Sequence, residues 1–307
     1  MAGSYVNTSF RMGYSGYAWL VPDDGTSSSI APQHTSLQSA YSDGISFLPL
    51  IDNSQVVHND VLGVRLGTLA GSGIVSVDRG LDVMINTGFG PRTSGTLKPW
   101  LVTILNDSTA TPFTQRAVWL QNMRIDGQWA TQGSASAIAF SYAAISTDPD
   151  NRGGAPAVST PAITGVTGVN NSTFANSSLT NNSTTTYDGI RGFSLDLANQ
   201  LVVIPAADKT YFAYRLAAGC IPGEAYTSTL TLTQLVHADN PLPMTVGTYP
   251  FLLNIESPDG IHNCAIVLSA RYTSFSQSRT VEGLLTNTIQ YRLYGGTGDW
   301  PVIANYS

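Results

Sequence analysis

The chain has 307 residues, of which 42% are hydrophobic, and this is enough apolar side chain to build one or two cores and to exclude disorder of the whole chain. Only 11% of the residues are charged, whereas about 25% is usual for a soluble protein. The formal net charge is −6 and no basic run is present, so we expect no direct binding of nucleic acid, which needs several Lys or Arg on one face.

Short strands separated by Gly and Asx turns are predicted along the first half of the chain. The alternation of Leu81, Val83 and Ile85, bounded by Gly80 and Gly88, is read as one of these strands. The other strands expected in this half cover residues 74–77, 100–105, 117–123 and 136–145.

The second half repeats this rhythm. Strands are expected at residues 201–204, 211–216, 228–236, 250–255, 264–272 and 288–294. Helix is expected only in short pieces, for example around residues 195–200, because no long apolar stripe with a 3.6-residue period is present.

A polar tract of Ser, Thr, Asn, Gly, Ala and Pro lies between the two halves, and after Arg152 it contains no charged residue until Asp188. It has too few large apolar groups to build a core of its own. The sequence therefore predicts an all-β protein of β-sandwich or jelly-roll type with two antiparallel modules. These are an N-terminal β module (residues 1–146), a linker or long surface loop (147–187) and a C-terminal β module (188–307).

The basic residues are unusual in kind, with twelve arginines and only two lysines, Lys98 and Lys209. Arg makes planar contacts and is enriched in packed interfaces, whereas Lys is the usual solvated charge that keeps surfaces apart. Few charges and few lysines predict a neutral, hydroxyl-rich surface that tolerates broad contacts between copies of the chain.

The cysteines and the N-terminus give limited information on the cellular compartment. Cys220 and Cys264 allow one disulfide or two buried free thiols, and the sequence leaves both open. No basic region followed by an apolar run begins the chain, so no signal peptide is expected. The sequence contains no stretch of about 18 apolar residues, so membrane insertion is not expected.

Motifs that would carry chemistry are scarce. The histidines lack the HxH or HExxH spacing of metal sites, and the Asp and Asn pairs that could bind Ca²⁺ are better explained as turns, because Arg152 would repel a cation in the most loop-like one. We therefore predict a non-enzymatic protein with no catalytic, cofactor-binding or metal-binding residues. The residues considered are His34, His58, His237, His262 and the segments 23–24, 148–151 and 239–240.

Two further groups have both a structural and a functional interpretation. Aromatic side chains could line a sugar-binding face, although alternation along strands makes at least half of them packing residues; the candidates are Trp119, Trp129, Tyr272, Tyr291 and Tyr294. Glycosylation sequons are expected by chance in a chain so rich in Asn, Ser and Thr, but would carry glycans in a secreted protein. They lie at Asn7, Asn106, Asn170, Asn171, Asn176, Asn181, Asn182 and Asn305.

These properties together predict a structural protein of a virion that assembles into a homo-oligomeric capsid shell, surface projection or tail component. Its expected partners are copies of itself and other structural proteins of the assembly, with a host surface receptor or glycan as a further candidate. The acidic balance favours an outer layer over a shell that grips the genome.

Two other classes stay open. The C-terminal residues 302–307, with a penultimate tyrosine, resemble the end of chaperone–usher pilins, and residues 242–255 have the Pro-flanked form of a pilin strand pair. This resemblance covers about a tenth of the chain and implies an extracellular pilus subunit or adhesin; a Cys220–Cys264 disulfide would favour it. A carbohydrate-active enzyme would be favoured by two facing carboxylates in a cleft lined by Trp or Tyr.

Overall fold

The structure is a computed structural model. It describes residues 17–22, 30, 32–42, 46–47, 60–61, 64–77, 80–89, 100–105, 113–129, 136–148, 171–181, 185–199, 201–205, 215–222, 227–279, 283–295 and 302–306.

The described elements are eighteen strands and one α-helix, together with a short 3-10 helix at Phe174–Asn176. In chain order the first half contains β1 (Tyr17–Pro22), β2 (Gln33–Ser42), β3 (Ser46–Phe47), β4 (Asp60–Val61), β5 (Val64–Ile74), α1 (Leu81–Phe89), β6 (Trp100–Leu105), β7 (Phe113–Gln128) and β8 (Ala139–Asp148). The rest contains β9 (Ser177–Asn181), β10 (Thr185–Thr186), β11 (Ile190–Ala198), β12 (Leu201–Pro205), β13 (Arg215–Pro222), β14 (Thr229–Leu235), β15 (Thr248–Glu256), β16 (Asn263–Arg279), β17 (Leu285–Leu293) and β18 (Val302–Tyr306).

Most strands belong to one antiparallel sheet, which confirms the all-β prediction. Its main path runs β10-β9-β15-β16-β17-β14-β11-β7-β8-β5-β13-β12. Four strands lie off this path: β1 pairs with β6, β6 pairs with β7, β2 pairs with β5, and β18 pairs with β16. The pairing of β13 with β5 is parallel, and β3 and β4 form a separate hairpin.

Alternation of apolar and polar residues explains the strands. In β14, Leu230, Leu232 and Gln234 are buried while the threonines between them are half-buried. The strands predicted at 100–105, 117–123, 136–145, 201–204, 228–236, 250–255, 264–272 and 288–294 are confirmed to within a few residues. Residues 211–214 of another predicted strand lie outside the described part.

The prediction of a strand from Leu81, Val83 and Ile85 is wrong, because residues 81–89 form α1. The buried positions on this element are Leu81, Met84, Ile85, Gly88 and Phe89. Their spacing of i, i+3, i+4, i+7 and i+8 is one face of a helix. Val83, which completed the apparent alternation, is only half-buried.

The short helix predicted around residues 195–200 is also wrong. Residues 190–198 form β11, in which Leu195 and Leu197 are buried and Ser194 and Asp196 are more exposed. A period of two decides the conformation here, because β11 has an antiparallel partner on each side, β14 and β7.

The core lies against one face of the sheet, called the inner face below. One inner row crosses eight consecutive strands in register and consists of His34, Gly73, Phe140, Ile125, Leu195, Leu230, Tyr291 and Tyr272. Strand β15 packs over this face, since the Phe251 ring lies 5.0 Å from that of Tyr291. The helix α1 packs beside it, in contact with β18 and β7.

Two glycines of β5 let large rings lie flat on the inner face. A Cβ placed on Gly71 would lie 2.6 Å from the Tyr142 ring, and one on Gly73 would lie 2.9 Å from the Phe140 ring and 1.9 Å from the carbonyl oxygen of Gln33. A side chain at either position would displace that ring or separate β2 from β5.

The C-terminal part of the polar tract is folded. Strand β9 pairs with β15, and Leu179 and Phe174 are buried in the core. Strand β11 of the predicted C-terminal module pairs with β7 of the predicted N-terminal one, so one sheet joins the strands of both. The division of the chain into two modules stays a prediction.

Candidate interaction surface

An extensive surface lies on the opposite side of the sheet and is called the outer face below. It spans the eight strands β2-β5-β8-β7-β11-β14-β17-β16. At a spacing of about 4.8 Å between strands, these eight make a surface about 34 Å wide. One outer row crosses all eight in register without a large apolar side chain: Ser36, Ser72, Ser141, Arg124, Asp196, Thr229, Arg292 and Arg271.

The neighbouring rows of the outer face are almost uncharged. They are rich in hydroxyl and amide groups, all of them half-buried or exposed: Asn122, Ser194, Thr231, Thr233, Thr288, Gln290, Ser274 and Ser276. Threonine at alternate positions of β14 is the sequence signal for this face, and it matches no catalytic or ligand-binding motif.

An ion cluster on β7 and β11 carries most of the charge at the centre of this face. Arg124 Nε lies 2.7 Å from Asp126 Oδ2 and 3.7 Å from Asp196 Oδ1. The hydrogen bond to Asp126, followed by the charges of Asp126 and Asp196, raises the pKa of the Arg124 guanidinium. All three side chains are about half-exposed, so water screens their attraction and the cluster adds little stability.

A shallow depression of about 430 Å³ adjoins the cluster. Small residues form its floor, among them Gly192, where an added Cβ would lie 3.2 Å from the carbonyl oxygen of Gly127. Arg124, Gln128 and Thr233 are among the residues around it. Besides Arg124 and Asp126, most polar groups around the depression are neutral donors and acceptors, so it suits a flat polar contact.

The depression does not have the arrangement expected of a glycoside hydrolase. Asp126 and Asp196 both interact with Arg124, and no Trp or Tyr is among the described residues that line it. Nothing in this geometry distinguishes one carboxylate as an acid and the other as a base.

The five aromatic candidates do not form one face. Tyr291 is fully buried on the inner face, where its hydroxyl donates to the Pro243 carbonyl oxygen at 2.7 Å and burial raises its pKa. Tyr272 packs against Tyr291 in the core. Trp129 meets the edge of the Phe174 ring. Trp119 is half-buried, and Tyr294 is exposed.

The histidines are placed apart from one another. His34 Nε2 lies 2.8 Å from the Tyr142 hydroxyl on the inner face. His237 is exposed and His262 is half-buried, while His58 lies outside the described residues. Among the residues that the structure describes, no three His, Cys, Asp or Glu side chains form a group that could hold a metal ion.

The segment 239–240, considered as a calcium ligand pair, lies in a bend. The Asp188 carboxylate accepts the backbone N–H groups of Asp239 and Asn240 at 3.0 and 2.8 Å. These hydrogen bonds lower the pKa of Asp188. The segment is thus a bend held to Asp188 by backbone hydrogen bonds, and its interpretation as turn-forming Asx side chains stays a prediction. Residues 23–24 and 149–151 lie outside the described part of the chain, as does the side chain of Asp148.

Cys264 is a free, fully buried thiol, and burial raises its pKa. Of the two alternatives left open by the sequence, the Cys220–Cys264 disulfide is therefore not formed. The side chain of Cys220 lies outside the described part of the chain.

Three of the described sequon residues are at least partly buried. Asn171 and Asn181 are half-buried, and Asn176 accepts a hydrogen bond from the Thr173 hydroxyl at 2.5 Å. Asn305 is exposed. The sequons at Asn7, Asn106, Asn170 and Asn182 lie outside the described residues.

Within the described ranges, no helix has the length and apolar character that crossing a membrane would require. A scan against models of known protein families gave no match for this chain, and a search of curated proteins found no relative.

Proposed function

We propose that this protein is a non-enzymatic structural subunit of a virion that assembles with copies of itself into a capsid shell, surface projection or tail. The observation that carries the proposal is the outer face, a surface eight strands wide that exposes mainly hydroxyl and amide groups, with its charges gathered in the Arg124 cluster and at Arg271 and Arg292. In this proposal the virion is where the protein is found.

The physical argument concerns the cost of contact. Burying an ion is expensive unless it is paired, whereas hydroxyl and amide groups can exchange hydrogen bonds with water for hydrogen bonds with a neighbour. A stable protein interface buries roughly 800 Å² on each partner. A wide face of hydroxyl and amide groups can provide such an area, and among the side chains that the structure describes the charges it would desolvate include the Arg124 cluster and the pair Arg271 and Arg292.

We further propose that the strands form a β-sandwich of the jelly-roll kind. The contact of Phe251 on β15 with Tyr291 on β17 supports this, because these strands are not hydrogen-bonded neighbours in the sheet. Strand β16 joins the two layers, since it pairs with both β15 and β17. Face-to-face packing of this kind is how sandwiches bury their apolar side chains.

Size and shape in solution test the proposal. Light scattering on the purified full chain, combined with negative-stain electron microscopy, is expected to reveal shells, rings or tubes of many copies. A protein that remains monomeric at about 100 μM, roughly tenfold above a weak dissociation constant of about 10 μM, would overturn it.

The pilus-subunit alternative loses one of its supports. A disulfide between Cys220 and Cys264 would have favoured it, and Cys264 is a free thiol. Strand β18, which lies in the segment that resembles the end of a pilin, pairs with β16 of the same chain. We retain the virion subunit as the single proposal, and glycan-array binding by a monomer would reopen the adhesin and the carbohydrate-active enzyme.

A further inference from the structure

We propose that copies of this chain join head to tail through two sheet edges, with the distal half of β16 in one copy pairing with β2 in the next. This inference rests on the proposed function and names the surfaces by which the subunits would meet. It follows from the edges, the strand directions and the side chains of these two strands.

The first edge is the distal half of β16, residues 272–279. Strand β15 pairs with β16 only from Asn263 to Arg271. Beyond Arg271 the ladder with β17 continues on the other side of β16 as far as Arg279. Among the described residues, no strand pairs with the remaining side of residues 273–279, and all seven of these residues are exposed.

An exposed aromatic ring marks this first edge. Phe275 is 56% exposed although it lies on the inner face, in register with the buried Ile289, Leu232 and Phe193. The apolar row of the core thus extends to β16, where the ring of Phe275 at its end is exposed. Covering an exposed Phe ring removes apolar surface from water and is favourable, so this ring favours a neighbour.

The second edge is β2, at the other end of the eight strands. It pairs with β5, and no other described strand pairs with it. Ser36 and Gln38 are exposed on its outer face, whereas Leu37 packs against the core on the inner face. Gln115 contacts Ser39 and the Ala40 carbonyl, so we assign the free edge to the part before Ser39.

The two edges resemble each other closely. Each has a register shift at a threonine whose hydroxyl donates to the strand behind it: Thr35 to the Ser72 carbonyl at 3.3 Å and Thr273 to the Gln290 carbonyl at 2.7 Å. Each threonine is followed by Ser and then by an apolar residue, Leu37 or Phe275.

Neither edge has the usual protection. Open edges in monomeric proteins are commonly blocked by Lys, Pro or inward-pointing charges. Residues 33–42 and 272–279 contain no Lys, Pro, Asp or Glu, and Arg279 at the very end is their only permanently charged residue. These edges are therefore competent to pair although the whole chain carries a net charge of −6.

The strand directions fit a second copy as the occupant. All seven pairings from β2 to β16 are antiparallel, so β2 and β16 run in opposite directions. When the next copy follows in the same orientation, its β2 therefore runs antiparallel to β16. Inner and outer faces also continue from copy to copy, with Phe275 opposite Leu37 and Ser276 opposite Ser36. Head-to-tail contacts of this kind build rings or tubes.

Cross-linking between two single-cysteine variants tests the pairing. Antiparallel partners have Cβ atoms about 5 Å apart, close enough for a disulfide after a small adjustment. We expect a mixture of Ser36→Cys and Ser276→Cys chains to form disulfide-linked dimers under mild oxidation. Each variant alone should not, and these single variants also control for Cys220 and Cys264. Dimers of Ser276→Cys alone would mean that β16 pairs with itself and would overturn the head-to-tail arrangement.

A charge at the edge provides the second test. Phe275→Lys should leave a folded monomer and remove the large species seen by light scattering, whereas Ile261→Lys, at a 70% exposed position in a turn, should assemble like the unmodified chain. Suppose that the unmodified protein and Phe275→Lys both assemble and that no mixed cross-link forms. That result would overturn this inference and leave the proposed function standing. Monomeric unmodified protein would overturn the proposed function itself.

Discussion

At the scale of single residues, His34 on the inner face is a largely buried histidine with a structural role. His34 projects from β2 toward the rings of Phe140 and Tyr142, with ring centroids 5.8 and 5.7 Å away. Burial, opposed by a smaller effect of the Pro32 backbone, lowers its pKa from 6.5 to about 4. The neutral imidazole satisfies the Tyr142 hydroxyl.

The lowered pKa of His34 predicts loss of stability in mild acid. Between pH 7 and pH 5 the unfolded chain binds a proton at this histidine and the folded chain does not, so the free energy of unfolding should fall by about 2 kcal/mol. Urea denaturation at several pH values measures this slope. His34→Gln should flatten it and His237→Gln, at an exposed position, should not; equal slopes in all three proteins would contradict the prediction.

At the scale of elements, one asparagine attaches the last strand to the helix. Asn86 of α1 donates from Nδ2 to the Ala304 carbonyl at 2.5 Å and accepts the Ala304 N–H at Oδ1 at 2.9 Å. These two hydrogen bonds replace those that a neighbouring strand would make with β18. The other side of β18 pairs with β16. The helix thereby covers an edge that would otherwise be open.

Asn86→Asp should loosen β18, because the new carboxylate cannot donate and faces the Ala304 carbonyl. We expect a loss of about 1–3 kcal/mol in stability and faster hydrogen exchange of the amides in residues 302–306. Mass spectrometry of exchanged peptides measures this directly. Thr87→Ser, at the next position of the same helix, is the matched control, and unchanged exchange in Asn86→Asp would show that packing alone holds β18.

Residue patterns predicted most strands but not α1, because a period of two is distinctive only where no helical period fits the same residues. The strands around Leu230 and Leu253 alternate cleanly, because one side of each lies on the core. At residues 81–89 the apolar positions satisfy both a period of two and a period of 3.6, and local sequence cannot choose between them. Contacts with β18 and β7, distant in the chain, favour the helix.

At the scale of the whole molecule, charge and contact chemistry act in opposite directions. The chain carries a net charge of −6 with a pI near 5.0, so copies repel one another at neutral pH. The outer face and the two edges carry few charges, so little of that repulsion is offset by ion pairs within the contact. The response to salt therefore reports which surfaces meet.

We predict that salt strengthens assembly. Raising NaCl from 10 to 300 mM at pH 7.5 shortens the Debye length from about 30 Å to about 6 Å, which screens the repulsion between copies and leaves neutral contacts intact. The concentration at which light scattering first detects large species should fall. A rise would mean that ion pairs hold the contact, and sodium sulfate at matched ionic strength separates screening from the effect of the anion on apolar burial.

The amino-acid sequence by itself determined the all-β class, most strand positions and the neutral character of the surface, because these depend on composition and on alternation within a few residues. It did not determine the inner and outer faces as continuous surfaces, the ion cluster of Arg124 with Asp126 and Asp196, or the two edges that no other described strand covers. Those depend on register between strands up to about 80 residues apart in the chain, such as Gly71 beside Tyr142. The tertiary structure alone decided them, since only pairing brings such residues onto one face.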